Sequence, residues 1–368
     1  MASHVPFLAV RPNEQFSTEI NAREFATPFN SITTSSAPNM DSSEAPILSR
    51  VTPASASRIP AALRFVLVCF SSFALSALLY TLSVDWAGYE LAAVSRDFTG
   101  QWQTGMVVAR KMTELSVAWY AGYDWKDLAG LACLSNLPYY FLLHIFYDLH
   151  LSACFIALSI DISSIAIPFA LLRPLIHAHE PGKTANQQVA QDPYIFGLMA
   201  LFGSAIYAVT IYSSLYTWLP VHIVTHFEEV RSLHGAHDAS VMLLLGTLIP
   251  VGWATSQFLF TPVVGSRGNP GLTDPKIHPE KVNFDPEGAT LGETLAYNLG
   301  LGAHGFPKRA EVLAKRTAVL VACSVTTTTV RTVMTVAGTE PLGAIGWASV
   351  WGVAGALTSV AYAWAENE

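Results

Sequence analysis

Seven stretches of this chain are apolar for about the length a helix needs to cross a bilayer, roughly 20 residues. They run over 61–84, 128–147, 151–172, 194–218, 239–260, 317–337 and 342–364. In hydrocarbon every backbone polar group needs an internal partner, which leaves helices as the solution for runs of this kind. The expectation is an all-α fold, a polytopic membrane helix bundle of about seven transmembrane helices. Composition agrees: 13% of residues are charged and 51% hydrophobic, against about 25% charged in a soluble domain. A formal charge of −7 offers no basic surface, so nucleic acid is not an expected partner. The lipid bilayer is.

Residues 1–60 are rich in Ser, Thr, Ala and Pro and have no hydrophobic period. They read as a disordered tail ahead of a seven-span membrane domain over 61–368. The polar loop 261–316 is the longest connection inside that domain. Only "DLH" separates the second span from the third, which predicts a tight hairpin. Residues 101–122, "QWQTGMVVARKMTELSVAWYAG", carry Arg110, Lys111 and Glu114 in their middle. This pattern predicts an amphipathic helix lying on the membrane interface rather than a span.

The connections 85–127, 173–193 and 261–316 fall on one side of a seven-span bundle and hold 13 of the 20 Lys and Arg residues. The positive-inside rule places that side in the cytosol, with the N-terminus outside and the C-terminus inside. The charges flanking the first span point the other way. Arg50, Arg58 and Arg64 precede or open it, while Asp85 and Glu90 follow it.

Asp161, at the centre of the third span, is the most informative residue. A carboxylate at that depth costs a few kcal/mol and faces protein or water. Helical spacing puts Cys154, Ala157, Asp161, Ser164 and Pro168 on one small, weakly polar face, which turns Asp161 into the bundle. There it is a candidate catalytic acid. Ser324, Thr327, Thr328, Arg331, Thr335 and Gly338 form a second such stripe. Arg331 is then a candidate partner for Asp161 as a structural or gating pair. The two roles compete, because a paired carboxylate is a poor proton donor.

The stretch "LPVHIVTHFEEV", residues 219–230, places His222, His226 and Glu229 on one helical face just beyond the fourth span. The chain has no HH pair and no HExxH, so a metal is not expected, nor is any cofactor. His222 and His226 are candidates for a pocket edge, and Glu228 and Glu229 are further candidate acids. The four cysteines lie in separate apolar segments without metal or disulfide spacing, and buried small hydrophobes are the expected reading. Aromatic residues deep in the spans, such as Tyr139 and Tyr140, could line a cavity that stabilises a cation.

Two stretches carry a family resemblance: "DLAGLACLSNLPYYFLLHIFYDLHLSACFIALSIDISSIAIPFALLRPL" and "GETLAYNLGLGAHGFPKRAEVLAKRT". With the tail and seven spans, they resemble the multi-pass membrane proteins of fungal indole-diterpene clusters, of the paxilline, aflatrem and lolitrem type. The resemblance implies a role in secondary metabolism, in or beside the cyclisation of a prenylated indole. It further implies a hydrophobic terpenoid ligand, other pathway enzymes as partners, and the endoplasmic reticulum as the location. The alternatives are a carrier of a hydrophobic metabolite and a membrane scaffold for biosynthetic enzymes.

Overall fold

A computed structural model describes residues 60–96, 100–176, 179, 192–265, 290 and 308–365, all within one compact unit from Ser57 to Glu368. The sequence-predicted tail over 1–60 and most of the loop 261–316 lie outside the described residues. Among those described, the structure is helical, with two isolated β-bridges and no strand.

The main helices are α1 (Ala61–Leu82), α2 (Gln101–Tyr120), α3 (Trp125–Tyr147), α4 (Leu151–Leu172) and α5 (Pro193–Tyr216). They are followed by α6 (Leu219–His226), α7 (Val241–Thr247), α8 (Ile249–Thr255), α9 (Lys308–Thr335) and α10 (Pro341–Ala365). Six are long and apolar enough to cross a bilayer: α1, α3, α4, α5, α9 and α10. The pair α7 and α8, bent by 56° at a short break, makes a seventh if it counts as one span. Pro250, second residue of α8, has no N–H to continue the helical ladder across that break.

Local chemistry sets the helix ends. Asp124 caps α3 by accepting from the Asp127 N–H at 2.9 Å. Asp148 closes it in the left-handed conformation, at φ 57°, from which the chain turns directly into α4. Asp192 caps α5 by accepting from the Tyr194 N–H, with Pro193 at its first position.

The helices alternate in direction between two ends of the bundle, one carrying Asp124 and the other Asp148. At the Asp124 end, Phe65 near the start of α1 packs on Trp119 at 5.5 Å. There Arg173, after α4, donates to the Ala118 and Trp119 carbonyls of α2. At the Asp148 end, Glu90 pairs with His150, and the Arg96 N–H bonds the Thr335 carbonyl that ends α9. Arg231 and Ser232 there donate their N–H groups to the Phe146 carbonyl of α3.

Small residues bring helices close. A Cβ on Gly252 of α8 would lie 1.9 Å from the Ala200 carbonyl of α5, and one on Gly203 would meet Tyr362 and Thr255. Helix α3 is the most enclosed, and Pro138 lies within it. Its missing N–H frees the Leu134 carbonyl, to which Ser324 Oγ of α9 donates at 3.4 Å, while Trp347 Nε1 donates to the Pro138 carbonyl at 2.9 Å. The aromatic core of Phe141, Phe146, Trp347 and Trp351 fills the space between α3 and α10.

Helix α2 differs from its expected place. It packs along the bundle instead of lying across its end. Lys111 and Glu114 are buried, and the Arg110 side chain is only 10% exposed. Along its middle turns the outward residues are Thr104, Gly105, Met106, Val108, Ala109 and Thr113. An interfacial helix shows its charges to water and its apolar face to the membrane; this helix does the reverse.

Candidate functional site

Two buried ionic clusters dominate the interior. The first is centred on Asp161, midway along α4. Tyr80 of α1 donates to its Oδ1 at 2.9 Å, and Tyr140 of α3 donates to its Oδ2 at 2.7 Å. Arg331 of α9 makes a short ion pair with the same Oδ2. The guanidinium also donates to Asn136 Oδ1 at 2.8 Å and to the Tyr140 hydroxyl at 2.6 Å. It lies over the Tyr139 and Tyr140 rings, 4.3 and 4.6 Å from their centroids. The cation that these aromatics hold is the chain's own arginine.

The carboxylate of Asp161 thus accepts from three donors on three other helices. In this geometry it is a fully engaged anion, not a free acid presented to a cavity. Helix α2 extends the cluster. Lys111 donates to the Ser72 carbonyl of α1 and to Ser164 Oγ of α4. Glu114 accepts from Ser135 and pairs with Arg110, which also donates to Asn136. Five charged side chains are gathered where the sequence suggested two.

The second cluster sits at the Asp124 end. Arg316 of α9 grips Asp127 of α3 through two bonds of 2.8 Å and donates to the Phe258 carbonyl. Its guanidinium lies over the Tyr123 and Phe258 rings, which meet edge to face. His179 Nδ1 donates to Asp124 Oδ2 at 2.6 Å, and its Nε2 faces Gln257 Nε2 at 3.0 Å. Burial by itself raises the Asp124 carboxyl, but the bonds from His179 and from the Asp127 and Ile176 N–H groups outweigh it. The net effect holds the carboxyl below its ordinary 3.8.

Asp124, Asp127 and His179 place ligand-type atoms within 4.8 Å of one another. They do not fit a metal. Arg316 occupies both Asp127 oxygens, and a 2.6 Å contact between His179 and Asp124 is a hydrogen bond with no room for an ion.

The histidine stretch departs from its expected geometry. Helix α6 ends at His226, and Phe227 is extended, so Glu229 does not share a helical face with His222 and His226. His226 pairs with Glu340 at 2.8 Å instead. His222 packs between Trp218 and His226, and against Gly346, where a Cβ would sit 2.0 Å from its Nε2. Glu228 and Glu229 are exposed at the Asp148 end, with the Glu228 N–H bonded to the Gly338 carbonyl. Neither makes a hydrogen bond or ion pair with Asp161. The four cysteines are free and buried.

A small lateral groove runs along α3 and α4, lined by Leu137, Tyr140, Phe141, Cys154, Phe155 and Leu158 among others. Tyr140 forms part of its wall and touches the Asp161 cluster on the other side. None of Asp161, His222, His226, Glu228 or Glu229 is among its lining residues.

Residues 192–363 match the family model described as the Bouquet formation protein 3 C-terminal domain. No curated protein and no solved structure matches the chain significantly. The family match overturns the resemblance to indole-diterpene cluster proteins, although the stretch 292–317 that suggested it lies inside the matched segment. With it go the role in secondary metabolism and prenyl-indole cyclisation; the carrier and enzyme-scaffold alternatives gain no support either. The physical reason is plain. A polar tail followed by several apolar spans is a pattern that the bilayer imposes on many unrelated chains.

The matched segment covers α5 to α10 in nearly their full extent. Arg316 and Arg331 lie within it, and their partners Asp127 and Asp161 lie before it. Both buried ion pairs therefore tie the matched segment to the helices that precede it.

Proposed function

We propose that this chain is an integral membrane protein of the nuclear envelope and endoplasmic reticulum system that serves bouquet formation, the meiotic gathering of telomeres at the nuclear envelope. The observation that carries the reading is the match of residues 192–363 to the bouquet formation protein 3 family. The polarity of the fold supports the membrane part. Charged and polar side chains cluster inside, while Leu63, Phe70, Leu198, Leu201, Val353 and Val360 face outward. Such an inside-out distribution is what hydrocarbon surroundings select.

In this reading the ionic clusters are locks that hold helices in register, and the bilayer is the first partner. The test is deletion of the chain in a meiotic cell of its source, with a fluorescent fusion followed in parallel. The expected result is rim and reticular fluorescence that resists alkaline carbonate extraction, and scattered telomeres in meiotic prophase. Normal telomere gathering in the deletion would overturn the role. Release by carbonate would overturn the membrane assignment.

A further inference from the structure

We infer that α2 is an eighth transmembrane crossing, so that the chain enters α1 and leaves α10 on the same, cytosolic and nucleoplasmic, side of the membrane. The inference rests on the membrane reading above and deepens it.

Direction is the first argument. Helix α1 runs from the Asp124 end, where Phe65 meets Trp119, past the mid-bundle contact of Tyr80 with Tyr140, towards the Asp148 end, where Glu90 meets His150. Helix α3 starts at the Asp124 end again. The chain must return between them, and α2 is the return. Its approach is fixed at the Asp148 end by the Arg96 N–H on the Thr335 carbonyl and by the Ser95–Val336 bridge. Its last turn is fixed at the Asp124 end by Arg173. Its 20 residues cover about 30 Å, the thickness of the hydrocarbon core.

Polarity is the second. Lys111 reaches Ser72 and Ser164, both in the middle stretches of their helices, which a helix lying flat on the surface could not do. The three charges of α2 face α1, α3 and α4, and its outer face carries none.

Charge bias is the third. From Arg64 onward the chain has 16 Lys and Arg residues. With eight crossings, Arg110, Lys111 and Arg331 lie inside the bundle. Eleven of the rest fall at or beyond the Asp124 end, and only Arg96 and Arg231 at the Asp148 end. The conflict between the loops and the residues around the first span disappears, because both now lie on one side. The positive-inside rule assigns that side to the cytosol, which is continuous with the nucleoplasm, and the Asp148 end to the lumen.

The test inserts a long flexible linker bearing one Asn-X-Ser/Thr acceptor into the full chain, which has none of its own. One version places it between Ser95 and Gly100, another between Arg231 and Ser240. Eight crossings predict glycosylation of both linkers, and equal access of antibody to N- and C-terminal tags after the plasma membrane alone is opened. A glycosylated 231–240 linker with an unmodified 95–100 linker, or tags on opposite sides, would overturn the eighth crossing and leave the membrane reading standing. Absence of modification on both linkers would overturn the assignment of the Asp148 end to the lumen, and carbonate extraction alone decides the membrane reading.

Discussion

Arg316 and Asp127, 189 residues apart in the chain, meet through two parallel hydrogen bonds of 2.8 Å each. The Asp127 side chain has no exposure and the Arg316 side chain 10%. A fork-to-fork pair of this kind is the strongest geometry available to an arginine and a carboxylate. It fastens the start of α3 to the first turns of α9.

Breaking that pair on one side strands the other charge. Arg316→Leu and Asp127→Leu are each expected to destabilise the detergent-solubilised protein by about 3–5 kcal/mol. Replacing both by leucine should recover much of the loss, since the desolvation cost disappears with the pair. Thermal unfolding of the three variants reads this directly; additive losses would mean that the pair is not a unit.

For Asp161 and Arg331 the same cycle uses Asp161→Asn and Arg331→Gln. Their shared bond predicts a coupling of about 0.5–3 kcal/mol between the two substitutions. Tyr80 and Tyr140 remain as donors to the residue at 161, and Asn136 remains as acceptor for the residue at 331. Neither single variant should therefore be as damaging as loss of Arg316, and unfolding midpoints measured side by side would show the order.

Acid should loosen the Asp124 end. The folded carboxyl of Asp124 is held below its ordinary 3.8, so it binds its proton less readily folded than unfolded. Its contribution is fully present above 3.8 and is lost as pH falls through the depressed folded value. Asp124→Asn is expected to lower stability at neutral pH and to flatten the stability curve below pH 4. An unchanged acid limb in that variant would show that other carboxylates set it.

Close approach of α5 and α8 depends on Gly252. Gly252→Ala puts a methyl group 1.9 Å from the Ala200 carbonyl and is expected to cost about 1–3 kcal/mol or more, as overpacking does. Gly246→Ala, where nothing lies within 4 Å, should be tolerated. Comparing the folded yields of the two variants separates packing from helix propensity.

Where an apolar run is bounded by polar residues, the sequence already marks the helix: Leu151–Leu172 is the run between His150 and Arg173. Asp161 and Arg331 also stood out, since each is a charge in the middle of such a run. The α2 crossing did not, because hydropathy counts Arg110, Lys111 and Glu114 against a span and cannot see that Ser72, Ser135, Asn136 and Ser164 await them. The Arg316–Asp127 pair did leave a signal. Each residue immediately precedes an apolar run, 317–337 and 128–147, and both runs start at the same end of the bundle. Nothing in the sequence tied His179 or Gln257 to that cluster, for their contacts depend on how the chain returns after α4. The family could not be read from spans alone, because hydrocarbon asks the same of every chain that enters it.

The ion pairs also impose an order on the making of the protein. Asp127 and Asp161 leave the ribosome 189 and 170 residues before Arg316 and Arg331. At about 5–20 residues per second, that is a wait of roughly 9–38 s. Throughout it, Asp127 and Asp161 each lack the arginine that pairs with them in the finished fold. A chain cut short before α9 would leave both acids without the arginines that hold them in the finished fold. The salt bridges thereby act as a completion mark, satisfied only when the last third of the chain has been threaded.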